Sequence, residues 1–247
     1  MKSVELERYA RHILLKEIGG AGQLKLSNSK ITMIGAGGLG SVALYYLVAS
    51  GVGKIQIVDK DIVSLSNLQR QILFKDKDLG EKKVLAARKN LLKLNPNVEI
   101  CVLDDHFSPE NSSKIIADSD LILDGTDNFE SKALICREAY RHRVPVIYGG
   151  LSQWEGQVCI FDPNLSSACF ECIYPNKPNQ NSGENCADLG IIGPTVGVIG
   201  SLMAGEAIKW ITSSGKPLVD QILIYDCLHG DFQKFQLVKR KNCPICA

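Results

Sequence analysis

The sequence has almost no excess of charge of either sign, because 28 lysines and arginines stand against 27 aspartates and glutamates. Proteins that bind nucleic acid or an anionic membrane surface usually carry a clear excess of basic residues. We therefore predict that neither is a partner. Residues 1–12 also lack the apolar segment of a signal peptide. Together these absences predict a cytoplasmic protein.

Residues 31–53 lack charged side chains altogether, over a length that raises the question of a membrane span. Six glycines fall within this stretch, and its pattern is that of a strand, a loop and a helix. Such a pattern is typical of the buried centre of an α/β domain. We therefore interpret the stretch as core and not as a transmembrane helix.

The four histidines show no spacing typical of metal ligands, and we expect them to be structural or surface residues. The nine cysteines are an odd number, which does not suggest a complete disulfide framework. Two C-x-x-C pairs occur, at residues 169–172 and 243–246, and four thiolates complete a tetrahedral Zn²⁺ site. A redox pair and unrelated thiols are the alternatives. Closed coordination predicts a structural zinc that fastens the end of the chain to the domain.

One segment combines the elements of a nucleotide site. Residues 31–34 form a short apolar run, residues 35–40 read G-A-G-G-L-G, and an apolar helical stretch extends to about residue 50. A second strand, residues 54–58, ends at Asp59. The glycines permit a tight turn, the helix N-terminus attracts phosphate, and an acid at the next strand tip suits a ribose hydroxyl. This segment alone predicts dinucleotide binding.

Polar side chains follow both this strand and a later one. Asn67, Arg70 and Gln71 come shortly after Asp59, and two adjacent lysines, at residues 82–83, open a predicted helix. Residues 124–128 read D-G-T-D-N after a buried strand, where a ligand or Mg²⁺ would lie. Alternatively, Asp127 or Asn128 caps the helix that follows. Which of the two lysines faces the site is left open.

Strands and helices alternate through residue 150, which predicts an α/β fold with a Rossmann-like, doubly wound and mostly parallel sheet. A helix from Ser3 to about Glu17 precedes it, and Gly149-Gly150 is expected to end its last parallel strand. We treat residues 1–247 as one domain. Residues 1–150 form its nucleotide-binding half, and residues 151–247 form a second half with a mobile loop at 175–189.

The sequence resembles the ThiF/MoeB/HesA family in the combination of its motifs. These are the glycine loop, the S-N-L-Q-R-Q run at 66–71, the D-G-T-D-N run, the two cysteine pairs and Gly193-Pro194. These proteins are bacterial relatives of ubiquitin-activating enzymes, and the resemblance extends from about Leu6 to Cys246. It implies ATP in place of NAD. It also implies adenylation of the C-terminal glycine carboxylate of a small ubiquitin-like sulfur carrier, of the ThiS type or alternatively of the MoaD type.

The resemblance also implies roles for individual residues. Arg11 would reach the active site of a partner subunit, which implies a homodimer, and Asp127 would hold Mg²⁺. Cys186 would either link covalently to the carrier or be a passive thiol, and a sulfurtransferase or a cysteine desulfurase would be a further partner. Nucleotide contacts would come from Gly35, Gly37, Gly38, Gly40, Asp59, Asp61, Asn67, Arg70 and Lys83. The zinc ligands would be Cys169, Cys172, Cys243 and Cys246.

Two functions of other classes stay open at this point. An NAD-dependent oxidoreductase would explain the glycine loop and Asp59, but it would explain neither the run at residues 66–71 nor the cysteine pairs. A non-catalytic scaffold that binds a ubiquitin-like protein is the other. It would be expected to have lost Arg70, Lys83 or Asp127, and all three are present.

Overall fold

The computed structural model describes residues 3–165, 167–175 and 190–247. Within these ranges a single eight-stranded sheet has the order β3-β2-β1-β4-β5-β6-β7-β8. Pairing is parallel from β3 to β5 and antiparallel from β5 to β8. The strands are β1 (Lys30–Ile34), β2 (Lys54–Val58), β3 (Glu99–Leu103), β4 (Leu121–Asp124), β5 (Val146–Ser152), β6 (Glu155–Phe161), β7 (Gln221–Asp226) and β8 (Asp231–Gln236). The predicted α/β class and mostly parallel sheet are confirmed.

The helices of the described ranges cover both faces of this sheet. They are α1 (Ser3–Arg8), α2 (Ala10–Ile13), α3 (Gly19–Asn28), α4 (Gly38–Ala49), α5 (Lys83–Leu94), α6 (Pro109–Ile116), α7 (Phe129–His142), α8 (Phe170–Ile173) and α9 (Gly193–Thr212). Alternate residues of β1 separate the two layers. Ile31 and Met33 pack with α3, α4, α5 and α9, whereas Ile34 packs with α6 and α7. No helix in the described ranges is long and apolar enough to cross a bilayer.

The N-terminal helix differs from its prediction. It is broken at Tyr9 into α1 and α2, and it ends at Ile13 instead of near Glu17. At this break the Tyr9 side chain is buried, with only 6% of its surface exposed. Helix α3 was not predicted, because its sequence GGAGQLKLSN is rich in glycine, a poor helix former. Tertiary packing overrides this propensity, since Leu26 of α3 is fully buried.

Strand β5 also differs from its prediction. Gly149 and Gly150 do not end it, because the strand continues to Ser152 and pairs with β6. A Cβ atom at Gly149 would lie 2.5 Å from the sulfur of Met203 in α9. The glycine therefore lets α9 pack directly on the sheet, at a place where the sequence predicts the end of the strand.

Candidate active site and four-cysteine cluster

The glycine loop lies between β1 and α4, where the strand order of the sheet changes direction. Gly35 has a φ of +91°, and its N–H donates to the Val58 carbonyl at 2.9 Å. A Cβ atom at Gly40 would lie 2.1 Å from the Gly35 carbonyl oxygen. Only glycine fits this turn, which places the first turn of α4 at the carboxyl edge of the sheet. Ligands of open α/β sheets bind at this switch point.

Asp59 fastens the glycine loop to the end of β2. Its carboxylate accepts the Ala36 N–H at 2.7 Å and the Asp61 N–H at 2.8 Å. Burial raises the pKa of the Asp59 carboxyl, and the nearby Lys83 ammonium and these two N–H donors act against the rise. The acid therefore stands where the sequence predicted it, and it already holds the loop. Its contact with ribose stays a prediction.

The two adjacent lysines point in different directions. Lys83 is buried, with 6% of its side chain exposed, and its ammonium lies 2.8 Å from the Asp61 carboxylate. Lys82, with 54% of its side chain exposed, pairs with Asp104 instead. Lys83 is therefore the lysine that faces the end of β2, and its contact with phosphate stays a prediction. Asp61, predicted to contact the nucleotide, holds the Lys83 ammonium.

Arg70 lies over the beginning of α4. Its Cγ atom is 3.8 Å from the position that a Cβ atom would take at Gly38, and its guanidinium donates to the Ser66 carbonyl at 3.2 Å. The segment is fixed by a turn in which the Asn67 carbonyl accepts the Arg70 N–H at 3.1 Å. Arg70 and the glycine loop are thus brought together, and the contact of Arg70 with phosphate stays a prediction.

Asp124 and Asp127 have different environments in the D-G-T-D-N loop. Asp124 is buried and accepts two hydrogen bonds from Thr126, from the N–H at 3.0 Å and from the hydroxyl at 2.6 Å. Asn128 caps α7 by accepting the Ser131 N–H at 2.9 Å. Asp127 is left as an exposed carboxylate at the tip. The loop contacts the glycine loop, since a Cβ atom at Gly35 would lie 2.8 Å from the Gly125 carbonyl oxygen.

Lys132 is a buried cation that the sequence analysis did not identify. Its ammonium donates to the Gly149 carbonyl at 2.6 Å and to the Asp124 carboxylate at 3.3 Å. It also lies 4.9 Å from the centre of the Tyr148 ring. Lys132 thus neutralises the acid that organises the loop before Asp127. Its position among the apolar residues of α7 was the available signal, because a lysine on a buried helix face requires a partner.

Arg11 is not brought to the glycine loop of its own chain. Its neighbour Tyr9 packs against Gly51, which follows the C-terminal end of α4, whereas the glycine loop precedes the N-terminal end. Arg11 is exposed, and within the described ranges its guanidinium has no hydrogen bond or ion pair. Cys186 and residues 176–189 of the predicted mobile loop lie outside the described residues.

The four cysteines of the C-x-x-C pairs converge, with their sulfur atoms all within 4.8 Å of one another. The Cys169 sulfur lies 4.0 Å from that of Cys172 and 3.4 Å from that of Cys243, and Cys172 lies 3.4 Å from Cys246. These distances are too long for disulfides and fit the edges of a tetrahedron with metal–sulfur bonds of about 2.3 Å. The predicted grouping of the four thiols is confirmed.

The protonation of the cluster differs from one thiol to the next. Burial acts to raise the pKa of Cys243, but backbone N–H groups of Ile245 and Cys246 lower it to about 7. A hydrogen bond with Cys136 and burial raise the pKa of Cys169, and burial raises the pKa of Cys246. The raised pKa values of Cys169 and Cys246 disfavour their thiolates in the absence of a cation, and a bound metal ion deprotonates its thiol ligands.

Comparison with known proteins identifies the family. The ThiF family model matches residues 9–245. A sulfur carrier protein adenylyltransferase of Thermus thermophilus is 39% identical over 246 residues, covering 98% of this chain and 91% of the relative. The SAMP-activating enzyme E1 of Haloferax volcanii is 33% identical, with 100% and 90% covered. The molybdopterin-synthase adenylyltransferase of Escherichia coli is 36% identical, with 98% and 96% covered.

Solved structures agree with the fold. The structure of E. coli MccB with ATP superposes with a TM-score of 0.86 at 22% identity, covering 100% of this chain and 75% of that one. At this identity the likeness concerns the fold alone. The family resemblance drawn from the motifs is confirmed by the sequence relatives and by the match over residues 9–245. The chain belongs to the ThiF family.

Proposed function

We propose that the protein uses ATP to adenylate the C-terminal glycine carboxylate of a small ubiquitin-like sulfur-carrier protein, with release of pyrophosphate. One observation carries the proposal. Arg70 and Lys83 lie at the carboxyl edge of the sheet together with the glycine loop and the first turn of α4. This arrangement would place positive charge beside a bound triphosphate, and the sequence relatives described above are adenylyltransferases and an activating enzyme by name.

The chemistry requires positioning and charge neutralisation more than a general base. A carboxylate oxygen of the carrier attacks the α-phosphorus of ATP, the bond to the bridging oxygen breaks, and pyrophosphate leaves. The product is an acyl-adenylate, whose AMP leaving group is far better than oxide. Arg70 and Lys83 bind phosphate oxygens, and Asn67 adds an amide donor. The Asp59 carboxylate accepts a hydrogen bond from a ribose hydroxyl.

Mg²⁺ fits the residues present at the tip of the D-G-T-D-N loop. Magnesium is usually held by one or two carboxylates together with substrate phosphates and water. Asp127 offers an exposed carboxylate in the loop whose Gly125 contacts Gly35, while Asp124 is committed to Thr126 and Lys132. We assign Asp127 as the magnesium ligand. The ion would supply neutralisation of phosphate charge when bound.

Zn²⁺ fits the four-cysteine cluster, because four converging sulfur donors match its tetrahedral preference. Its ligands would be Cys169, Cys172, Cys243 and Cys246. Full thiolate coordination leaves no open position, so the metal would be structural. It would fasten the segment around Cys243 to α8, and thereby hold β7 and β8 against β6.

Arg11 supports a homodimer in which each subunit completes the site of the other. An exposed arginine without a partner in its own described structure is available to a neighbouring chain. In this arrangement residues 1–150 bind the nucleotide and residues 151–247 bind the carrier, all within one domain. The outer strand β8, exposed along its whole length, is the surface that we assign to the carrier.

The carrier is proposed to be of the ThiS type, which serves thiamine thiazole synthesis, because the sequence places Cys186 shortly before Gly193-Pro194. A MoaD-type carrier is the second candidate, and the molybdopterin-synthase adenylyltransferase at 36% identity favours it. A sulfurtransferase or a cysteine desulfurase would supply the sulfur. We predict that Cys186→Ser keeps ATP–pyrophosphate exchange. Full sulfur transfer to the carrier by this variant would show that Cys186 forms no covalent link.

ATP–pyrophosphate exchange tests the function directly. The purified protein is incubated with MgATP, labelled pyrophosphate and one candidate carrier at a time, either ThiS-type or MoaD-type. We expect exchange with one carrier, and loss of exchange when its terminal glycine is deleted. Binding of NAD without MgATP would favour the oxidoreductase instead. MgATP binding without exchange with any carrier would favour the scaffold.

A further inference from the structure

Tyr9 is buried at the junction between the N-terminal segment, residues 3–18, and the rest of the domain. Its hydroxyl accepts a hydrogen bond from the Asn95 side-chain amide at 2.8 Å, and the same amide nitrogen donates to the Val48 carbonyl at 2.9 Å. Asn95 is fully buried. The contact thus joins the break between α1 and α2 to the ends of α4 and α5.

Gly51 provides the place where the Tyr9 ring lies. Its φ is +78°, a conformation that favours glycine, and a Cβ atom there would lie 2.4 Å from the ring. Any other residue at this position would displace the tyrosine. The ring therefore has a defined seat at the C-terminal end of α4.

Two further contacts hold the same segment on both sides of Arg11. Arg8 donates to the Leu94 carbonyl at 3.1 Å. The Gln23 amide donates to the Ser50 carbonyl at 2.8 Å, and its oxygen lies 3.2 Å from the His12 ring nitrogen Nδ1. The last carbonyl groups of a helix lack intrahelical partners, and these side chains serve them at the ends of α4 and α5.

These contacts hold the backbone on both sides of Arg11. The Arg11 side chain itself makes no hydrogen bond or ion pair in the described part of the chain. Helix α4 has 12 residues, and at 1.5 Å of rise per residue it is about 18 Å long. The Tyr9 contact lies at its far end from the glycine loop. Arg11 lies two residues from Tyr9 in this segment, and its exposed side chain is available to a second chain.

We propose that Tyr9, seated on Gly51 and bonded to Asn95, is a positioning residue that holds Arg11 in register for the nucleotide site of a second copy of this chain. The inference rests on the homodimer of the proposed function. A purely structural role would stabilise the chain that carries Tyr9 and would not act on the partner's site. The two roles therefore differ in which subunit loses activity.

Mixed dimers, purified through two different affinity tags, separate these roles. In the first arrangement, one subunit carries Arg70→Ala and the other carries Tyr9→Ala. The only competent site then receives Arg11 from the subunit with an intact Tyr9, and we expect about half of the wild-type exchange rate, since one of two equivalent sites works. In the second arrangement, one subunit carries both substitutions and the other carries none.

The second arrangement contains the same substitutions, but its competent site receives Arg11 from the subunit without Tyr9. We expect its exchange rate to lie about 10- to 100-fold below that of the first, because small misplacements of a catalytic group are costly. Equal rates in the two arrangements would overturn the proposal. If Tyr9→Ala gives no folded dimer, Tyr9→Phe replaces it. We then expect the exchange rate of the second arrangement to lie about threefold below that of the first, because one hydrogen bond is lost.

The same two mixed dimers are also made with Arg11→Ala in place of Tyr9→Ala. They separate the role of Tyr9 from the contribution of Arg11 to the partner's site. Different rates with Arg11→Ala and equal rates with Tyr9→Ala would overturn the role of Tyr9 alone. Equal rates with both would overturn the exchange of arginines between subunits as well. Absence of exchange in the wild-type dimer with every carrier would overturn the adenylation on which both rest.

Discussion

The nucleotide edge of the sheet and the four-cysteine cluster are built in opposite ways. At the nucleotide edge, charges of opposite sign are already paired, as Lys83 with Asp61 and Lys132 with Asp124 show. In the cluster, four groups of the same kind converge, and the pairs that touch are 74 residues apart in sequence. The first region is therefore organised by the protein alone, whereas the second requires a cation to become fully ionised. The comparison predicts that metal removal and charge removal damage different properties.

Loss of a cluster ligand is expected to have the largest effect. Cys172→Ser should abolish zinc binding and lower the free energy of unfolding by an amount on the order of several kcal/mol, because metal binding is coupled to folding. Zinc content by elemental analysis and thermal unfolding check this. The control is Cys227→Ser, which changes a partly exposed cysteine outside the cluster. Unchanged stability with zinc lost would show that the cluster does not fasten the fold.

Arg70→Ala should leave the fold intact and lower carrier-dependent ATP–pyrophosphate exchange by about 10²–10³-fold, or roughly 2.7–4 kcal/mol of barrier, by analogy with oxyanion-hole donors. The arginine lies on the segment between β2 and α5, and it is not among the buried residues of the core. Arg88→Ala, on the exposed side of α5, is the matched control and should exchange like wild type. Near-normal exchange by folded Arg70→Ala would remove this residue from the mechanism.

The adjacent lysines offer the sharpest internal comparison. Lys83→Met should lower exchange by about 10- to 100-fold, because it removes a phosphate ligand and leaves Asp61 without its cation. Lys82→Met should stay within about twofold of wild type, since surface ion pairs such as the one with Asp104 contribute little. Rates measured at saturating MgATP decide between them. A greater loss of exchange in Lys82→Met than in Lys83→Met would contradict the role of Lys83 as a phosphate ligand.

Asn128→Ala is expected to have the smallest effect. It removes the cap of α7 and should cost about 1 kcal/mol of stability, whereas Asn128→Asp keeps an acceptor and should cost less. Urea unfolding measures both. An equal loss for the two variants would indicate that the side chain acts in another way than as a cap.

The sequence predicted those parts of the molecule that local rules determine. The spacing of the glycines predicts a turn followed by a helix. The spacing of the cysteines in two C-x-x-C pairs likewise predicts that their sulfur atoms converge. The break at Tyr9 was not predictable, because its cause, the seat on Gly51, lies 42 residues away in the chain and is visible only in three dimensions. The direction of Lys83 depends likewise on where α5 begins relative to β2.

Helix α3 and strand β5 also depend on tertiary packing that the local sequence does not show. Glycine predicts irregular backbone when propensity is considered alone. In β5, however, Gly149 permits close packing of α9 on the strand, and in α3 the burial of Leu26 outweighs the low helix propensity of glycine. The burial of Lys132 does not follow from the sequence, because a lysine on a helix is usually solvated. Its partners Asp124 and Gly149 come from two different strands, which only the parallel sheet brings together.

Adenylation at this edge of the sheet is tested most directly by ATP–pyrophosphate exchange. The wild-type protein is assayed with a ThiS-type or a MoaD-type carrier, each with and without its terminal glycine. We expect exchange that requires one intact carrier and that is lost in both Arg70→Ala and Lys83→Met. Exchange without any carrier, or exchange unaffected by the two substitutions, would contradict the assignment of this edge of the sheet as the site of adenylation.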